Sequence, residues 1–491
     1  MKARFLDWLR ELRASYWFVP TLMASAAVAL SLVTVMLDGR IGDAWLSDVD
    51  WLYANKPDGA RAVLSTLAGS MITVAGVTFS MTILTVSFAA GQIGPRLMNN
   101  FMRDRGNQIT LGTFISTFLY CLMVLRTVRN AEEAVPGVDP TMGAFVPHIS
   151  LLLALLMAIA SVGVLIYFIH HVPESINVSN VIARVGRDLN DMVESEFPTT
   201  IGQPADRGEG EENHAVNGHG GAEDPDHPDT PPPIAGDPTA PGPGTDAAAI
   251  KAHGNGYLRT VDGGALMRLA QRHDLCLRLE YRPGDYVCHG KVLLYAWPRE
   301  RVEPGVADRL RETFALGTSR TRHQNMFFLV DELAEIIARA LSPGVNDPFT
   351  AISCMDWVQS VLLNLGRREP VDPRRFDADH RLRVVTHPIR FEAMVQRICG
   401  QTLSYVSTDP NASLHMMKMI AEVAAELPPG PRREAVLEQA TRLRTATREG
   451  LSLEVDRQAI DARYQQLLAA VHNRAAAARL RDDQGWLGGT G

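Results

Sequence analysis

The stretch from Ala62 to Pro95 constrains this chain most, because it contains no charged residue and no histidine. As a single α-helix it would be roughly 50 Å long, whereas the hydrocarbon core of a bilayer is about 30 Å thick. Tilting does not absorb this excess, since tilts rarely exceed about 40°. The stretch therefore predicts a membrane span that continues past one face of the bilayer and ends near residues 91–95.

One narrow face of this predicted helix carries small and weakly polar residues. Hydroxyl residues recur every seven positions and glycines follow two of them: Thr66, Gly69, Thr73, Gly76, Ser80 and Ser87. The opposite face is apolar and consists of Val63, Leu67, Met71, Val74, Met81 and Val86. A small polar face has two uses in a membrane: another helix packs closely against it, or copies of it surround an axis and line a pore.

Three further apolar segments predict spans at 14–37, 107–125 and 149–169. Together with the first stretch they make a predicted four-span transmembrane domain over residues 14–172. Basic residues interleaved with aromatic and aliphatic ones predict an interfacial helix over 1–13, and a similar pattern predicts a second one over 95–105.

Lysine and arginine residues near the span ends predict the orientation. One side of the membrane has Lys2, Arg4, Arg10, Arg13, Arg96, Arg103, Arg105, Arg184 and Arg187, and the other has Arg40, Lys56, Arg61, Arg126 and Arg129. Cytoplasmic segments carry the excess of these residues. Both termini are therefore predicted to be cytoplasmic.

The rest of the chain divides by composition into five regions. They are a juxtamembrane helix (173–197), a disordered linker rich in Gly, Pro and acidic residues (198–256), a small α+β subdomain (257–300), a helical domain (301–472) and a disordered tail (473–491). The predicted fold class is thus a multi-pass α-helical membrane domain with four spans, followed by a cytosolic α+β domain that is mostly helical.

Composition also excludes some classes of protein. A formal net charge of −7 argues against a nucleic-acid binder, which normally has a basic face. The five cysteines are odd in number and far apart, which favours a reducing cytosol over a disulfide framework.

A weak zinc-like cluster occurs near residue 280 and consists of His273, Cys276, Cys288 and His289. If the turn at Pro283 centres a hairpin, Cys276 faces away from the core and Cys288 lies on the buried side. A register slip of one residue would reverse this. Buried cysteines and surface histidines are the favoured interpretation, so no metal site and no cofactor is predicted.

Five sequence patches stand out along the chain. They are GVTFSMTILTVSFAAGQIGPRL in the second span, YFIHHV at the end of the fourth, RPGDYVCHG near residue 285, GTSRTRHQNMFF from residue 317 and ALSPGVNDPFTA from residue 340. These patches resemble a bacterial family of predicted membrane proteins, the domain of unknown function 2254, over nearly the whole chain apart from the linker. The resemblance implies a protein of the bacterial inner (cell) membrane and implies no established activity. The family pattern has an acidic residue where this chain has Asn325, which weakens any role for a carboxylate at that position.

Polar residues flank a predicted helix at 322–341. Arg320, Thr321, Gln324 and Asn325 lie at its start, and Asn346 and Asp347 follow its end. In the structural interpretation Asp347 caps the next helix and Pro348 fills its first position. In the functional interpretation the residues form one cluster for an anion or small ligand.

Two adjacent histidines, His170 and His171, end the fourth span. Neighbouring helical residues point about 100° apart, so the two do not face one metal ion without a further group between them. The favoured interpretation is a polar cap at the membrane interface, and the alternative is a role in pH sensing or ion contact.

Two functions compete for this chain. We find no phosphate-binding loop, nucleophile elbow or zinc-protease motif, so an enzyme is disfavoured. The first function is an oligomeric channel or transport pore lined by the second span and regulated by the cytosolic domain. The second is a membrane-anchored scaffold or ligand-responsive sensor without transport. The predicted partners are the lipid bilayer and further copies of the chain, with no nucleic acid, and the ion or ligand is not identified.

Overall fold

The computed structural model describes residues 15–41, 57–93, 104–129, 145–194, 201–204 and 246–472. Two compact units make up the chain: the first spans residues 9–181, and the second is built mainly from residues 182–491. The predicted interfacial helix 1–13, nearly all of the one at 95–105, most of the linker and the tail lie outside the described residues.

Four helices form the first unit, and each is long and apolar enough to cross a membrane. They are α1 (Phe18–Ile41), α2 (Pro57–Ile93), α3 (Arg105–Leu125) and α4 (His148–Ile176). The central helix is α3, which packs against each of the other three. The prediction of four spans is confirmed. At 37 residues, α2 is about 55 Å long.

Small residues let these helices approach closely. Ala60, Leu64 and Ala68 of α2 are buried with Tyr120 and Cys121 of α3 in one apolar cluster. A Cβ added to Gly112 of α3 would lie 2.6 Å from the sulfur of Met23. The α1–α3 contact therefore depends on a glycine, as close helix pairs in membranes commonly do.

Helix α5 (Val178–Glu194) follows α4 after a single intervening residue, Asn177. The Asn177 side chain accepts a hydrogen bond from the backbone N–H of Ser179 (3.0 Å), which starts the new helix. From Ile182 onward α5 belongs to the second unit. There Gly186 packs against the ring of Trp357, and Asp188 pairs with Arg322 (2.7 Å).

Two sheets lie in the second unit. The strands are β1 (Ala248–Lys251), β2 (Gly256–Val261), β3 (Cys276–Leu279), β4 (Tyr286–Val287), β5 (Val292–Trp297), β6 (Phe314–Gly317), β7 (Arg374–Phe376) and β8 (Leu382–Val385). One sheet has the order β1-β5-β3-β8-β7 and the other β4-β2-β6. All pairs are antiparallel except β3–β8, which is parallel. Helices α6 (Gly263–Arg272) and α7 (Pro304–Glu312) complete this part.

The structure corrects two expectations here. The predicted linker is shorter than 198–256, because Ile201 is fully buried and β1 pairs with β5. The hairpin expected around Pro283 does not form as predicted, because β3 pairs with β5 whereas β4 pairs with β2 in the other sheet, and Gly290 lies between β4 and β5 with φ +79°. Consequently Cys276 is buried and Cys288 is exposed, the reverse of the hairpin expectation. No group of three metal-binding side chains occurs among the described residues.

Six further helices pack against one another in the second unit. They are α8 (Met326–Ala340), α9 (Pro348–Arg367), α10 (Phe391–Val406), α11 (Pro410–Glu426), α12 (Pro431–Gly450) and α13 (Glu454–His472). Asp347 and Asp409 each precede a proline and each cap a helix through a backbone N–H, of Thr350 (3.1 Å) and Ala412 (2.8 Å) respectively. The predicted mostly helical domain with some strands is confirmed.

An ion-pair network joins the turn that precedes β3 to the β7–β8 hairpin. Arg383 donates to Asp274 and to Asp377, both at 2.7 Å, and Arg301 also donates to Asp274. The hydrogen bond from Arg383, with the positive charges of Arg383 and Arg301, lowers the pKa of Asp274 below its ordinary 3.8 despite partial burial.

The lowered pKa predicts how stability depends on pH. A carboxyl group with a depressed folded-state pKa stabilises the fold fully above its unfolded pKa, near 4, and loses this effect as the pH falls through the folded value. Asp274→Asn should therefore have a lower thermal midpoint than the wild type at pH 7, and the two midpoints should converge towards pH 3. A circular dichroism series in detergent measures this, and a gap that stays constant between pH 7 and pH 3 contradicts it.

Candidate functional site

The small polar residues of α2 lie on the surface of the first unit. We call Thr66, Gly69, Thr73, Gly76, Ser80 and Ser87 the α2 stripe, and all six are exposed. The buried face of α2, which includes Ala60, Leu64, Met71 and Ala75, lies on the other side of the helix. A Cβ added to Gly69 or Gly76 would meet no atom within 4 Å. Packing within the described chain therefore does not require these two glycines.

The stripe hydroxyls are only partly used in this fold. Thr73 Oγ1 donates to the backbone carbonyl of Gly69 at 2.8 Å, as hydroxyls in membrane helices often do. By contrast, Thr78 and Thr82 are buried and donate to Ala75 and Thr78. The stripe hydroxyls thus belong to exposed residues, whereas Thr78 and Thr82 lie on the buried face of α2.

A network of hydrogen bonds lies in the interior of the first unit, near one end of its helices. Asp38 of α1 is 9% exposed and accepts from the backbone N–H groups of Ile149 (2.8 Å) and Ser150 (3.0 Å) and from the Ser150 hydroxyl (2.6 Å). Pro147, the residue before α4, provides no side-chain cap. Asp38 therefore caps α4 from a different helix, which the sequence did not predict because the first predicted span, 14–37, ends one residue before Asp38.

Tyr120 of α3 extends this hydrogen-bond network. Its hydroxyl lies 2.9 Å from Thr34 Oγ1 and donates to the carbonyl oxygen of Ser150 at 3.2 Å. Deeper in the unit, Thr117 and Ser161 are 3.0 Å apart. These buried polar contacts join α3 to α1 and α4.

The two histidines at the end of α4 point to different partners. His171 Nε2 lies 2.8 Å from Asp104 Oδ2, and its ring stacks on Tyr167 with centroids 5.0 Å apart. Asp104 also caps α3 by accepting from Gly106 N–H (2.8 Å). His170 is exposed and pairs with Glu174 at 3.6 Å. The pair His171–Asp104 thus connects the end of α4 to the start of α3.

The loop before α8 positions each of its polar residues differently. Gln324, at φ +55°, hydrogen-bonds the backbone of Val261 in β2, and Asn325 caps α8 through Phe328 N–H (3.1 Å). Thr321 is partly buried in the same loop. Asn346 and Asp347 follow the other end of α8, about 22 Å away along a 15-residue helix. The structure does not bring them to Arg320.

Three arginines surround the start of α8 instead. Arg397 of α10 donates to Asp331 through Nε and Nη2, both at 2.7 Å, and Arg320 donates to the same carboxylate at 3.1 Å. The Cζ atoms of Arg282 and Arg397 lie 4.7 and 4.6 Å from the centroid of the Phe327 ring. We call Arg282, Arg320 and Arg397 the arginine cluster.

The cluster joins two of the patches that stand out in the sequence. Gly284, at φ +102°, lies against the Asn325 side chain, so a Cβ there would be 2.3 Å from its nitrogen. Arg320 also lies over Tyr257, whose ring meets Tyr286 edge-on at 5.0 Å. Segments 282–290 and 317–328 thus contact each other, with only Arg320 of the cluster foreseen from the sequence.

Comparisons with known proteins identify the family of this chain. The chain is 30% identical over 449 residues to uncharacterised proteins of Mycobacterium bovis and Mycobacterium tuberculosis, covering 90% of this chain and 78% of each relative. No solved structure matches. A family model described as "Predicted membrane protein (DUF2254)" matches residues 13–422, which cover nearly all of the first unit and the second unit as far as α11. The chain therefore belongs to this family of predicted membrane proteins.

Proposed function

We propose that this membrane protein assembles as a homo-oligomer around α2 and forms a channel or transport pore lined by the α2 stripe. One observation carries the proposal: the polar, small-residue face of α2 is exposed and lies away from the helix's own packing face. Hydroxyls and glycines are poor lipid-facing residues compared with the leucines and isoleucines exposed elsewhere in the unit. When copies of α2 surround the symmetry axis of an oligomer, these residues contact another α2 helix or the water in the pore instead of lipid.

Regulation by the second unit is part of the proposal. Helix α5 leaves α4 after one residue and packs within the second unit through Gly186 and Asp188. A change in that unit therefore has a short covalent route to the fourth span.

Cysteine accessibility tests the pore. In a Cys288→Ser background, which removes the exposed native thiol, Thr73→Cys and Ser80→Cys should react with a charged, water-soluble thiol reagent. Ile159→Cys is the matched control, because Ile159 of α4 is also exposed in the single chain but would face lipid. Ser80→Leu should leave assembly intact and abolish conductance in reconstituted vesicles.

The packing alternative gives opposite results. If another helix covers the stripe, both cysteines resist the reagent in well-assembled protein, and Ser80→Leu lowers the yield of oligomer. That combination would exclude the pore.

The proposed location is the bacterial inner membrane with both termini in the cytoplasm, supported by the distribution of Lys and Arg. Single cysteines replacing Ser47 and Thr141 should then be labelled from outside intact cells, and one replacing Asn217 should not. Labelling at Asn217 by an impermeant reagent would reverse the orientation.

A second candidate function is a ligand-responsive sensor without transport. The arginine cluster favours it, because partly exposed guanidinium groups gathered on one surface suit an anionic ligand. Ligand binding combined with an unreactive α2 stripe would support the sensor over the pore.

A further inference from the structure

The ion pairs at the start of α8 leave an excess of positive charge. Arg320 and Arg397 both pair with Asp331, so two guanidinium groups share one carboxylate and this trio carries a net charge of +1. The Asp331 side chain is only 7% exposed. A partly desolvated cation is costly unless an anion balances it. An anion from outside the trio would offset this cost.

The trio also has unused hydrogen-bonding capacity. Nε of Arg320 is shielded from solvent and donates to no acceptor in the described part of the chain. The side chains of Arg320, Arg397 and Arg282 are 33%, 27% and 30% exposed, so a solute can reach them. Among the described residues, Arg320 donates to Asp331 through Nη1 and Arg397 through Nε and Nη2, so Nη2 of Arg320 and Nη1 of Arg397 are further donors for a ligand.

Aromatic rings hold these guanidinium groups in place. Phe327 is buried and lies within 5 Å of Arg282 and Arg397, while Tyr257 supports Arg320 at 5.3 Å. Stacking restricts the flexible side chains, so less conformational entropy is lost when they bind a ligand.

A phosphate group matches this surface better than a chloride ion or a carboxylate. Its tetrahedral oxygens can accept from two guanidinium groups at once, and the planar fork of arginine fits phosphate geometry. A chloride ion offers no directional match, and a carboxylate has only two oxygens in one plane.

We infer that the arginine cluster is a binding site for a phosphate-bearing small molecule or headgroup, held mainly by Arg320 and Arg397 with Arg282 beside them. This site does not depend on α2 forming a pore. It would let the second unit respond to the concentration of a phosphate-bearing ligand.

Calorimetry on the full chain in detergent tests the inference. Titration with sodium phosphate at constant ionic strength should give saturable binding, and sodium chloride should give none. Arg320→Gln keeps the two-point Arg397–Asp331 pair and should weaken phosphate binding at least tenfold. Arg448→Gln is the matched control, because Arg448 also shares one aspartate, Asp461, with another arginine but is 55% exposed on α12.

Two further arms distinguish the source of the phosphate. Binding of glycerol phosphate without binding of phosphatidylglycerol vesicles assigns the site to a soluble compound. Binding of both, with no response to phosphatidylcholine vesicles, assigns it to a headgroup. If Arg320→Gln lowers the thermal midpoint by itself, Arg282→Gln provides the second variant and should also weaken binding. Equal phosphate affinity in both variants and the wild type, or no saturable binding to the wild type, overturns the inference.

Discussion

Replacing Asp38 by Ala is expected to destabilise the membrane unit by about 3 kcal/mol. The change removes the acceptor for two backbone N–H groups at the start of α4 and for the Ser150 hydroxyl. A lost helix cap costs about 1 kcal/mol, and each buried donor left without a partner adds about 1–3 kcal/mol. Unfolding by SDS titration in mixed micelles measures the difference.

Ser150→Ala is the control for this prediction. It removes only the hydroxyl bond and leaves both backbone bonds to Asp38, so it should cost about 1 kcal/mol. An Asp38→Ala protein that unfolds at the wild-type SDS concentration would show that water or another group caps α4.

Asp331→Ala is expected to have a comparable effect on the second unit, about 3 kcal/mol. It leaves Arg320 and Arg397 without their shared carboxylate, and removing one partner of a desolvated ion pair leaves an uncompensated charge. The loss of stability is measured as the difference in thermal midpoint between the full-length variant and the wild type, at low ionic strength and without phosphate.

Asp461 provides a matched comparison because it also pairs with two arginines, Arg444 and Arg448, but its side chain is 34% exposed. Surface ion pairs contribute little, so Asp461→Ala should cost less than about 1 kcal/mol. Equal losses in the two variants would mean that burial does not set the strength of the Asp331 pairs.

The helices of this protein are largely predictable because residues next to each helix end determine its boundaries. Asp347-Pro348 and Asp409-Pro410 place a capping carboxylate and a proline at the first turn, and both helices begin where these pairs predict. Likewise, the absence of charge between Arg61 and Arg96 is sufficient to identify α2.

The short strands are not predictable in the same way. β6 and β7 have four and three residues, too few for an alternating pattern, and β7 is held by pairing with β8. The predicted hairpin failed for the same reason, since the partner of β4 is β2, about 30 residues earlier.

The two candidate sites differ in the same way, because one is formed by neighbouring residues of one helix and the other by residues far apart in the sequence. The α2 stripe is visible in the sequence because its members share one helix and one period. The arginine cluster is not, because Arg282, Arg320 and Arg397 come from three segments separated by about 40 and about 75 residues. Spacing along the chain carries no signal for such a group.

The parallel pairing of β3 with β8 has a consequence for synthesis on the ribosome. Leu277 and Arg278 pair with Val384 and Val385, more than 100 residues later, across the boundary predicted at residue 300. Until residue 385 emerges, the nascent chain exposes one edge of β3, and an open edge of this kind is prone to pair with other chains. A truncated gene that stops between α9 and β8 should therefore yield aggregates, whereas the natural order of synthesis completes the sheet before helices α10 to α13 are made.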